Sequence, residues 1–343
     1  MFDNNIFLAA GNSSNHGPAS NAGPVPIVVL DPATHQFTEE GLVDDEQIDS
    51  YVILNKQLYI PGHDPREDWS LGNYYKRLET GTWKKIRTIP DALHNYAMVL
   101  QNDTLFAALG IKKGGAVAVS QNQGDTWAIS LITEARIYGF LQLHNKLYAV
   151  NSLKGNVENN FIYEYQGSEG FLVRADITPA RLFPESVLDA NKAIKISRAK
   201  AFNNAVIYIG AYTHNDHQSQ PFGVYIAYSL APKNITVKKI DLPDNIIPWD
   251  IVIHGRDAYI LTSAKDIYQK PVANVIFHAT TQNPQSFEPY IQFKADSFAR
   301  SFELFKNVFY FGLGTEIKHS LDWNVSELNE HAGDILKLNQ PIQ

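Results

Sequence analysis

The sequence has no cysteine, so disulfides, thiolate metal sites and cysteine nucleophiles are all excluded. It also lacks any apolar run approaching the roughly 18 residues of a membrane-spanning helix, which predicts a soluble chain without a membrane span. Acidic residues outnumber lysine and arginine, and the formal charge is −7. A protein that binds a phosphate backbone needs clustered positive charge, so we expect no nucleic-acid partner.

The first residues also lack a targeting pattern. Residues 1–11 contain neither the basic region nor the apolar region of a signal peptide. The compartment therefore stays unknown from the sequence. A chain from which an export signal had been removed would be periplasmic or secreted.

One phrase recurs seven times: an apolar strand, a tight turn, then an aromatic residue followed by small residues and often glycine. The recurrent aromatic residues are 42 to 60 positions apart, close to the roughly 40–50 residues of a four-stranded propeller blade. They are Phe7, Tyr59, Phe106, Tyr148, Tyr208, Tyr259 and Tyr310. The sequence therefore predicts an all-β, seven-bladed β-propeller of four-stranded antiparallel blades, formed by residues 1–343 as a single domain.

The two ends of the chain predict how the propeller closes. Residues 6–11 match the second strand of a blade, so the first blade lacks its inner strand, whereas residues 333–339 have the form of an inner strand. We predict that this C-terminal strand pairs into the N-terminal blade, because an open propeller exposes strand edges. The stretch 179–193 lies outside the repeat and is predicted to be an insertion with a short helix.

A turn motif resembles that of a known family. Ser120–Trp127 reads Ser-Gln-Asn-Gln-Gly-Asp-Thr-Trp, and Ser320–Ser326 is a degenerate second copy in which Asn324 stands in the place of glycine. Both resemble the Asp box (BNR repeat), Ser-x-Asp-x-Gly-x-Thr-Trp, of the sialidase-like β-propeller superfamily. In that motif, polar side chains bind the turn backbone and glycine permits a positive φ. The resemblance therefore implies a fold and not an activity.

The resemblance does not extend to the sialidase active site. Pro24–Val28 occupies the place of the family's Arg-Ile-Pro signature without its arginine, and no tyrosine nucleophile with a glutamate partner can be assigned. Sialidases also have six blades, whereas seven are predicted here. We therefore do not expect a bona fide sialidase.

Polar residues recur where the predicted inner strands begin, and in a propeller these positions surround a central pocket. The acid–base candidates are His94, Tyr138 and Asp49, whose side chains can transfer protons. The candidates for binding the substrate include three arginines, because guanidinium groups bind anions with paired hydrogen bonds. The predicted binding residues are Arg136, Arg198, Arg300, Trp249, Asp250, His63, His214 and His217.

Each of these assignments has an alternative. The histidines could be solvated loop residues, and the arginines could be ion-pair partners of Asp49, Asp250 and Asp334. His214 and His217 could also bring two imidazoles to a divalent metal, with Asp64 or Asp216 adding an oxygen ligand, but nothing determines the remaining ligands. The metal content therefore stays unknown, and the sequence requires no cofactor.

The favoured hypothesis is a carbohydrate-active enzyme, a glycoside hydrolase or a polysaccharide lyase, acting on an acidic saccharide at the central pocket. By analogy, uronate lyases with a propeller fold use arginine to neutralise the substrate carboxylate and histidine or tyrosine to transfer the proton. The alternative is a non-catalytic propeller that binds a glycan, another small polar ligand or a protein, because fold does not determine function. A purely structural module is a third alternative, and it predicts arginines neutralised by carboxylates.

Overall fold

The computed structural model describes residues 1–11, 24–64, 66–153, 160–213, 219–267, 270–314 and 330–339. Regular structure in these ranges is almost entirely β. It comprises strands β1 to β26, one helix α1 (Pro179–Leu182) and one short 3₁₀ turn at Gly167–Glu169.

The strands form seven antiparallel sheets, numbered here as blades 1 to 7 along the chain. Blade 1 contains β1 (Ile6–Leu8), β2 (Val25–Asp31) and β3 (Gln36–Val43). Blade 2 contains β4 (Val52–Leu54), β5 (Gln57–Pro61), β6 (Leu71–Arg77) and β7 (Trp83–Pro90). Blade 3 contains β8 (Ala92–Gln101), β9 (Thr104–Ile111), β10 (Gly114–Ser120) and β11 (Ala128–Thr133). Blade 4 contains β12 (Ile137–Leu143), β13 (Lys146–Asn151), β14 (Ile162–Tyr165) and β15 (Phe171–Val173).

The later blades repeat the same arrangement. Blade 5 contains β16 (Ala193–Phe202), β17 (Ala205–Thr213), β18 (Ser219–Ala231) and β19 (Asn234–Lys239). Blade 6 contains β20 (Ile246–His254), β21 (Asp257–Ala264), β22 (Val272–Thr280) and β23 (Glu288–Ala295). Blade 7 contains β24 (Ala299–Phe305), β25 (Val308–Leu313) and β26 (Ile335–Asn339). Neighbouring strands in each sheet are consecutive in the chain, so the chain has the blades of the predicted seven-bladed β-propeller.

Tight turns join the first two strands of a blade. In blade 2 the turn residues Asn55 and Lys56 have φ values of 47° and 61°, and in blade 3 Asn102 and Asp103 have 47° and 62°. Two successive positive φ values define the turn whose twist matches an antiparallel hairpin. Asparagine and aspartate adopt this left-handed conformation at low cost, which explains the recurrent polar turns of the sequence.

The described chain forms two compact units. The first comprises Met1–Phe140, Leu147–Ser152 and Tyr163–Leu172, and includes blades 1 to 3. The second comprises Leu141–Lys146, Leu153–Ile162 and Val173–Gln343, and includes blades 5 to 7. Each unit has an apolar core between neighbouring blades, which includes Tyr59 and Leu105 in the first and Ile207 and Ile260 in the second. A single domain over residues 1–343 stays a prediction.

The predicted pairing of the C-terminal strand is wrong. Strand β26 pairs antiparallel with β25 in blade 7, with Leu336 opposite Phe311 and Leu338 opposite Phe309. These leucines pack on the buried phenylalanines of the same sheet, so their apolar face is satisfied within blade 7. The described part of blade 1 has three strands.

The insertion at 179–193 contains the expected short helix, α1. Leu182 and Phe183 at its end are buried, and the hydroxyl of Tyr208 donates a hydrogen bond to the carbonyl of Leu182 at 2.5 Å. The segment is therefore anchored to blade 5 through side chains of its own unit.

The turn at Ser120–Trp127 is held by its own side chains. The hydroxyl of Ser120 accepts a hydrogen bond from the backbone N–H of Gly124 at 2.9 Å, and Oδ1 of Asn122 accepts one from the N–H of Thr126 at 3.0 Å. Gly124 has a φ of +93°, and the Trp127 indole donates to its carbonyl at 3.1 Å. The second motif copy, Ser320–Ser326, lies outside the described residues.

Candidate functional site

Inner strands carry β-bulges at the predicted site positions. In β8 the register with β9 shifts between Ala92 and His94 and again between Asn95 and Ala97. Comparable shifts leave Trp249 of β20 and Arg300 of β24 without a directly opposed residue in the neighbouring strand. A bulge bends the strand and redirects side chains, and bulges are common next to active sites. Outer strand pairs such as β18–β19 and β22–β23 carry register shifts as well, so the bulges accompany the predicted positions but do not mark them by themselves.

Four aromatic rings of the first unit form one contact group, which we call the histidine–tyrosine cluster: His63, His94, Tyr96 and Tyr138. The His94 ring stacks on Tyr96 with centroids 5.0 Å apart and planes at 16°. The Tyr96 and Tyr138 centroids are 4.4 Å apart, and His63 meets Tyr96 edge-on at 5.2 Å. The structure thus brings three predicted site residues together around Tyr96. Tyr96 itself was not among the predicted site residues.

Glycine makes room for this stack. A Cβ atom on Gly110, which lies opposite His94 in β9, would be 2.9 Å from His94 Cδ2 and 3.1 Å from Tyr96 Cε2. Real Cβ atoms essentially never approach another atom within 3.0 Å, so any side chain here would displace one ring. The glycine of the sequence repeat therefore shapes the cluster in blade 3.

Arg136 brings a positive charge to the cluster. Its Nη1 donates a hydrogen bond to the Tyr96 hydroxyl at 2.6 Å, and its guanidinium carbon lies 5.9 Å from the Tyr96 ring centroid. It also hydrogen-bonds to Tyr138. Burial and the neighbouring Tyr138 raise the pKa of Tyr96, so this phenol stays protonated at neutral pH. A cation and two phenols thus lie next to His94.

A carboxyl group contacts the imidazole at its Nδ1 atom. Asp64 Oδ1 is 3.2 Å from Nδ1 of His94. Burial, followed by a hydrogen bond to Glu46 and the Glu46 charge, raises the pKa of Asp64, while the Arg136 charge opposes that rise. The backbone N–H of Glu46 donates to the carbonyl of His63 at 3.2 Å, which fixes the two acidic residues beside each other.

A second carboxyl group supports the segment around His63. Asp45 is fully buried and accepts hydrogen bonds from Asn73 Nδ2 at 2.8 Å, from the Tyr75 hydroxyl at 3.2 Å and from the backbone N–H of His63 at 3.2 Å. Burial raises the pKa of Asp45 to about 6, although its hydrogen bonds and Lys85 oppose the rise. This buried network holds the loop that carries His63 and Asp64.

The described part of the second unit contains four of the predicted residues. Arg198 Nε lies 3.4 Å from Asp250 Oδ1, so this arginine has the ion-pair partner of the alternative interpretation. Trp249 donates from its indole to Ser263 Oγ at 2.7 Å and lies against Phe298. Arg300 is exposed, and its aliphatic stem approaches Gly314.

The remaining predicted residues are placed differently. Asp49 is exposed in the segment between β3 and β4, whereas Asp45 of the same segment is buried against the His63 loop. His214 and His217 lie outside the described residues, so the metal alternative is untested there. Over the described ranges, no group of three histidine or acidic side chains is arranged to hold a metal ion. No helix in these same ranges is long and apolar enough to span a membrane.

A strand-periodicity signal could have identified Tyr96. Alternate residues of a strand share one face, and Tyr96 follows His94 by two positions, just as Tyr138 follows Arg136. Asp64 directly follows the predicted binding residue His63 in a loop, whereas Glu46 offers no comparable signal, because it lies in a different loop. A polar loop residue does not indicate its partner by spacing.

Seven meandering antiparallel blades define the class as a β-propeller. The chain is similar to hydrazine synthase from Kuenenia stuttgartiensis, with a TM-score of 0.56 and 11% identity over 93% of this chain and 90% of that one. It is also similar to a putative 6-phosphogluconolactonase from Bacteroides fragilis NCTC 9343, with a TM-score of 0.52 and 10% identity over 91% and 88%. A GH74 xyloglucanase from Xanthomonas campestris matches with a TM-score of 0.55 and 11% identity over 84% of this chain and 48% of that one.

No protein-family model matches the chain, and no curated protein sequence matches it. At identities of 10–11%, the solved structures establish the propeller fold alone. The function therefore has to be argued from the site.

Proposed function

We propose that this protein is a polysaccharide lyase that cleaves an acidic, uronate-containing saccharide at the histidine–tyrosine cluster. One observation carries the proposal: Tyr96 contacts both the Arg136 guanidinium, at 2.6 Å, and the stacked His94 ring. An anion-binding group, a phenolic acid and an imidazole base are thereby adjacent. Elimination next to a carboxylate requires these three functions.

Each function has a residue in the proposed reaction. Arg136 binds the uronate carboxylate and offsets the charge that develops when the neighbouring C5–H bond breaks. His94 accepts that proton, the electron pair forms the C4–C5 double bond, and the C4–O bond breaks. Tyr96 or Tyr138 donates its phenolic proton to the departing oxygen. The Asp64 carboxyl, 3.2 Å from Nδ1, favours a proton on that nitrogen and so leaves Nε2 as the proton acceptor.

The carboxyl groups favour elimination over hydrolysis. Most glycoside hydrolases place two carboxyl groups about 5–5.5 Å or about 6.5–9.5 Å apart, on either side of the scissile bond. Here the carboxyl group that contacts the cluster is that of Asp64, which lies 3.2 Å from His94 Nδ1 and therefore supports the imidazole. A lyase needs no such pair of separated carboxyl groups.

One further likeness supports a carbohydrate substrate, because one structural neighbour is a xyloglucanase. This likeness concerns the scaffold, so it favours the substrate class less strongly than the cluster does.

Glycan binding without cleavage is the second candidate function. Trp69 is 49% exposed in the loop that also carries Asp64. Arg87 donates hydrogen bonds to the carbonyls of Asp68 and Leu71 on either side of it, at 2.7 and 3.0 Å. A held, exposed indole is a suitable surface for a sugar ring and requires no acid or base.

A substrate screen tests the proposal. The purified protein is incubated with polygalacturonate, alginate and glycosaminoglycans, and the absorbance of unsaturated uronate is followed. His94→Gln and Arg136→Lys should each lower kcat by roughly 10²-fold or more. His254→Gln and Arg256→Lys, which replace exposed residues at the β20–β21 turn, are the matched controls and should match the wild type.

Three outcomes separate the candidates. Formation of unsaturated product that depends on His94 and Arg136 supports the lyase. New reducing ends without unsaturated product would indicate hydrolysis and contradict it. Saturable glycan binding without any product, lost in Trp69→Ala, would favour the binding module instead.

A further inference from the structure

His63 is held by three successive residues of the segment between β3 and β4. The Asp45 carboxyl accepts a hydrogen bond from the backbone N–H of His63 at 3.2 Å, and the backbone N–H of Glu46 donates to the His63 carbonyl at 3.2 Å. Gln47 contacts the ring, because its Nε2 lies 3.4 Å from Nδ1 of His63. The backbone and the imidazole of this buried histidine are therefore fixed together.

The contact with Gln47 determines which nitrogen of His63 carries the proton. An amide nitrogen only donates hydrogen bonds, so Nδ1 of His63 is the acceptor. A neutral imidazole has one acceptor nitrogen and one N–H group. The proton of neutral His63 is therefore on Nε2.

The N-terminal segment orients the amide of Gln47. Gln47 pairs with Gly11 in an antiparallel bridge, and a Cβ atom on Gly11 would be 3.4 Å from Gln47 Oε1. The amide oxygen thus lies toward Gly11, whereas the amide nitrogen faces His63. Glycine at position 11 leaves space for the amide in this orientation.

His94 has the opposite arrangement. Asp64 Oδ1 lies 3.2 Å from Nδ1 of His94, which favours a proton on Nδ1 and leaves Nε2 as the acceptor. The two histidines are opposed in an antiparallel bridge, their ring centroids are 5.9 Å apart, and both rings contact Tyr96. Two neighbouring imidazoles thus carry their protons on different nitrogens.

We propose that His63 donates a hydrogen bond from Nε2 to a substrate oxygen, and that Gln47 is the positioning residue that keeps the proton on Nε2. In each ring, Nε2 points away from the group that contacts Nδ1. The pair therefore offers one donor, His63 Nε2–H, and one acceptor, His94 Nε2. The contact with substrate rests on the proposed function, whereas the two tautomers depend only on the contacts described above.

The chemistry of a uronate fits such a pair. Each uronate ring carries hydroxyl and carboxylate oxygens that accept hydrogen bonds, close to the C5–H group from which His94 removes the proton. With the reversed tautomer, Nε2 of His63 would be an acceptor and would repel a carboxylate oxygen. The position of one proton on His63 therefore affects binding of the substrate.

Nuclear magnetic resonance of the free protein tests the tautomers. The protein is labelled with ¹⁵N-histidine, and the couplings between ring protons and ring nitrogens are measured at about pH 8, where ordinary histidines are neutral. The signals are assigned with His63→Gln and His94→Gln. We expect the proton on Nε2 in His63 and on Nδ1 in His94.

Gln47→Glu replaces the donor with an acceptor of the same length. It should move the His63 proton to Nδ1 and leave the His94 tautomer unchanged, and kcat/KM should fall by roughly 10-fold or more. Gln36→Glu, at an exposed position of β3, adds the same charge and should match the wild type in tautomers and kinetics. Near-ultraviolet circular dichroism checks that each variant is folded, and the wild-type spectrum needs no variant.

Two replacements of His63 test its role as a donor. His63→Gln retains an N–H donor at the end of the side chain, whereas His63→Leu has none. We expect His63→Leu to lower kcat/KM by roughly 10-fold or more and His63→Gln to lower it less.

The proposal is overturned if wild-type His63 carries its proton on Nδ1, or if folded Gln47→Glu keeps the proton on Nε2. Because the tautomers are measured without substrate, an inactive protein with opposite tautomers would contradict the proposed function. An active lyase in which folded His63→Leu has wild-type kinetics would contradict this inference alone.

Discussion

Replacing Asp45 with asparagine should flatten the pH dependence of stability above about pH 4. The buried carboxyl has its pKa raised from 3.8 to about 6, so the folded protein binds this proton more tightly than the unfolded chain does. The free energy of unfolding therefore falls as the pH rises from about 4 to about 6, and the full cost persists at higher pH. An asparagine at this position is neutral at every pH and carries no such cost.

The magnitude follows from the shift in pKa. About two units correspond to about 3 kcal/mol, at about 1.4 kcal/mol per unit. For a chain of 343 residues the entropy of unfolding is about 0.7 kcal/mol per kelvin, so this equals about 4 °C in Tm. The new amide also has a route to a hydrogen bond, because Asn73 Oδ1 has no partner among the described residues and can accept one after its amide rotates.

The assay is thermal unfolding of both proteins between about pH 4 and pH 8. The difference in Tm, Asp45→Asn minus wild type, should increase by about 4 °C from the low to the high end of this pH range, whatever its value at the low end. Asp68→Asn is the control of opposite sign, because Ser70 hydrogen bonds lower the pKa of the exposed Asp68. Neutralising Asp68 should lower the free energy of unfolding only at pH values above the ordinary pKa range of aspartate. Parallel curves for Asp45→Asn and the wild type would refute the assignment of a costly buried charge.

Three further predictions concern geometry. Gly110→Ala should lower kcat by roughly 10-fold or more and broaden the His94 resonance, because the added Cβ displaces the His94 or Tyr96 ring. Unchanged kinetics would contradict the close packing of these two rings against Gly110. Gly124→Ala should destabilise the fold by about 2 kcal/mol or more, measured by urea unfolding, because its φ is +93° and the Cβ would overlap the Tyr74 hydroxyl. A double-mutant cycle of Arg198→Ala and Asp250→Ala should give a coupling energy of about 1 kcal/mol in about 0.1 M salt. A value near zero would show that the two side chains do not form a stabilising ion pair.

The repeat predicts the fold because each blade is a local meander. The spacing from Tyr59 to Phe106, and the polar hairpin at Asn102, depend only on strand periodicity and turn chemistry within one blade. The pairing of residues 335–339 is different, since an alternating apolar strand can satisfy its buried face against more than one sheet. Sequence pattern specifies that such a strand forms, and the competition between edges specifies where it pairs.

The candidate site can be predicted only where strand spacing determines proximity. His94, Arg136 and Tyr138 stand near the starts of inner strands, and two-residue spacing would add Tyr96. The carboxyl groups cannot be found in this way: the sequence favours Asp49, which is exposed in the structure. Burial of a loop carboxylate depends on long-range contacts that its own segment does not encode.

The bulges of β8 connect the fold to the proposed chemistry. A regular β8 would pair every residue from Ala92 to Gln101 with β9, and His94 and Tyr96 would then keep the uniform spacing of a flat strand. The second register shift leaves Tyr96 outside the ladder, so its ring can stack on His94 while its hydroxyl reaches Arg136. Register shifts also occur between outer strands, as between Ala227 and Ser229 of β18, so irregularity alone does not mark a site. The bulge of β8 matters for the one residue that it releases, because Tyr96 contacts both an imidazole and a guanidinium.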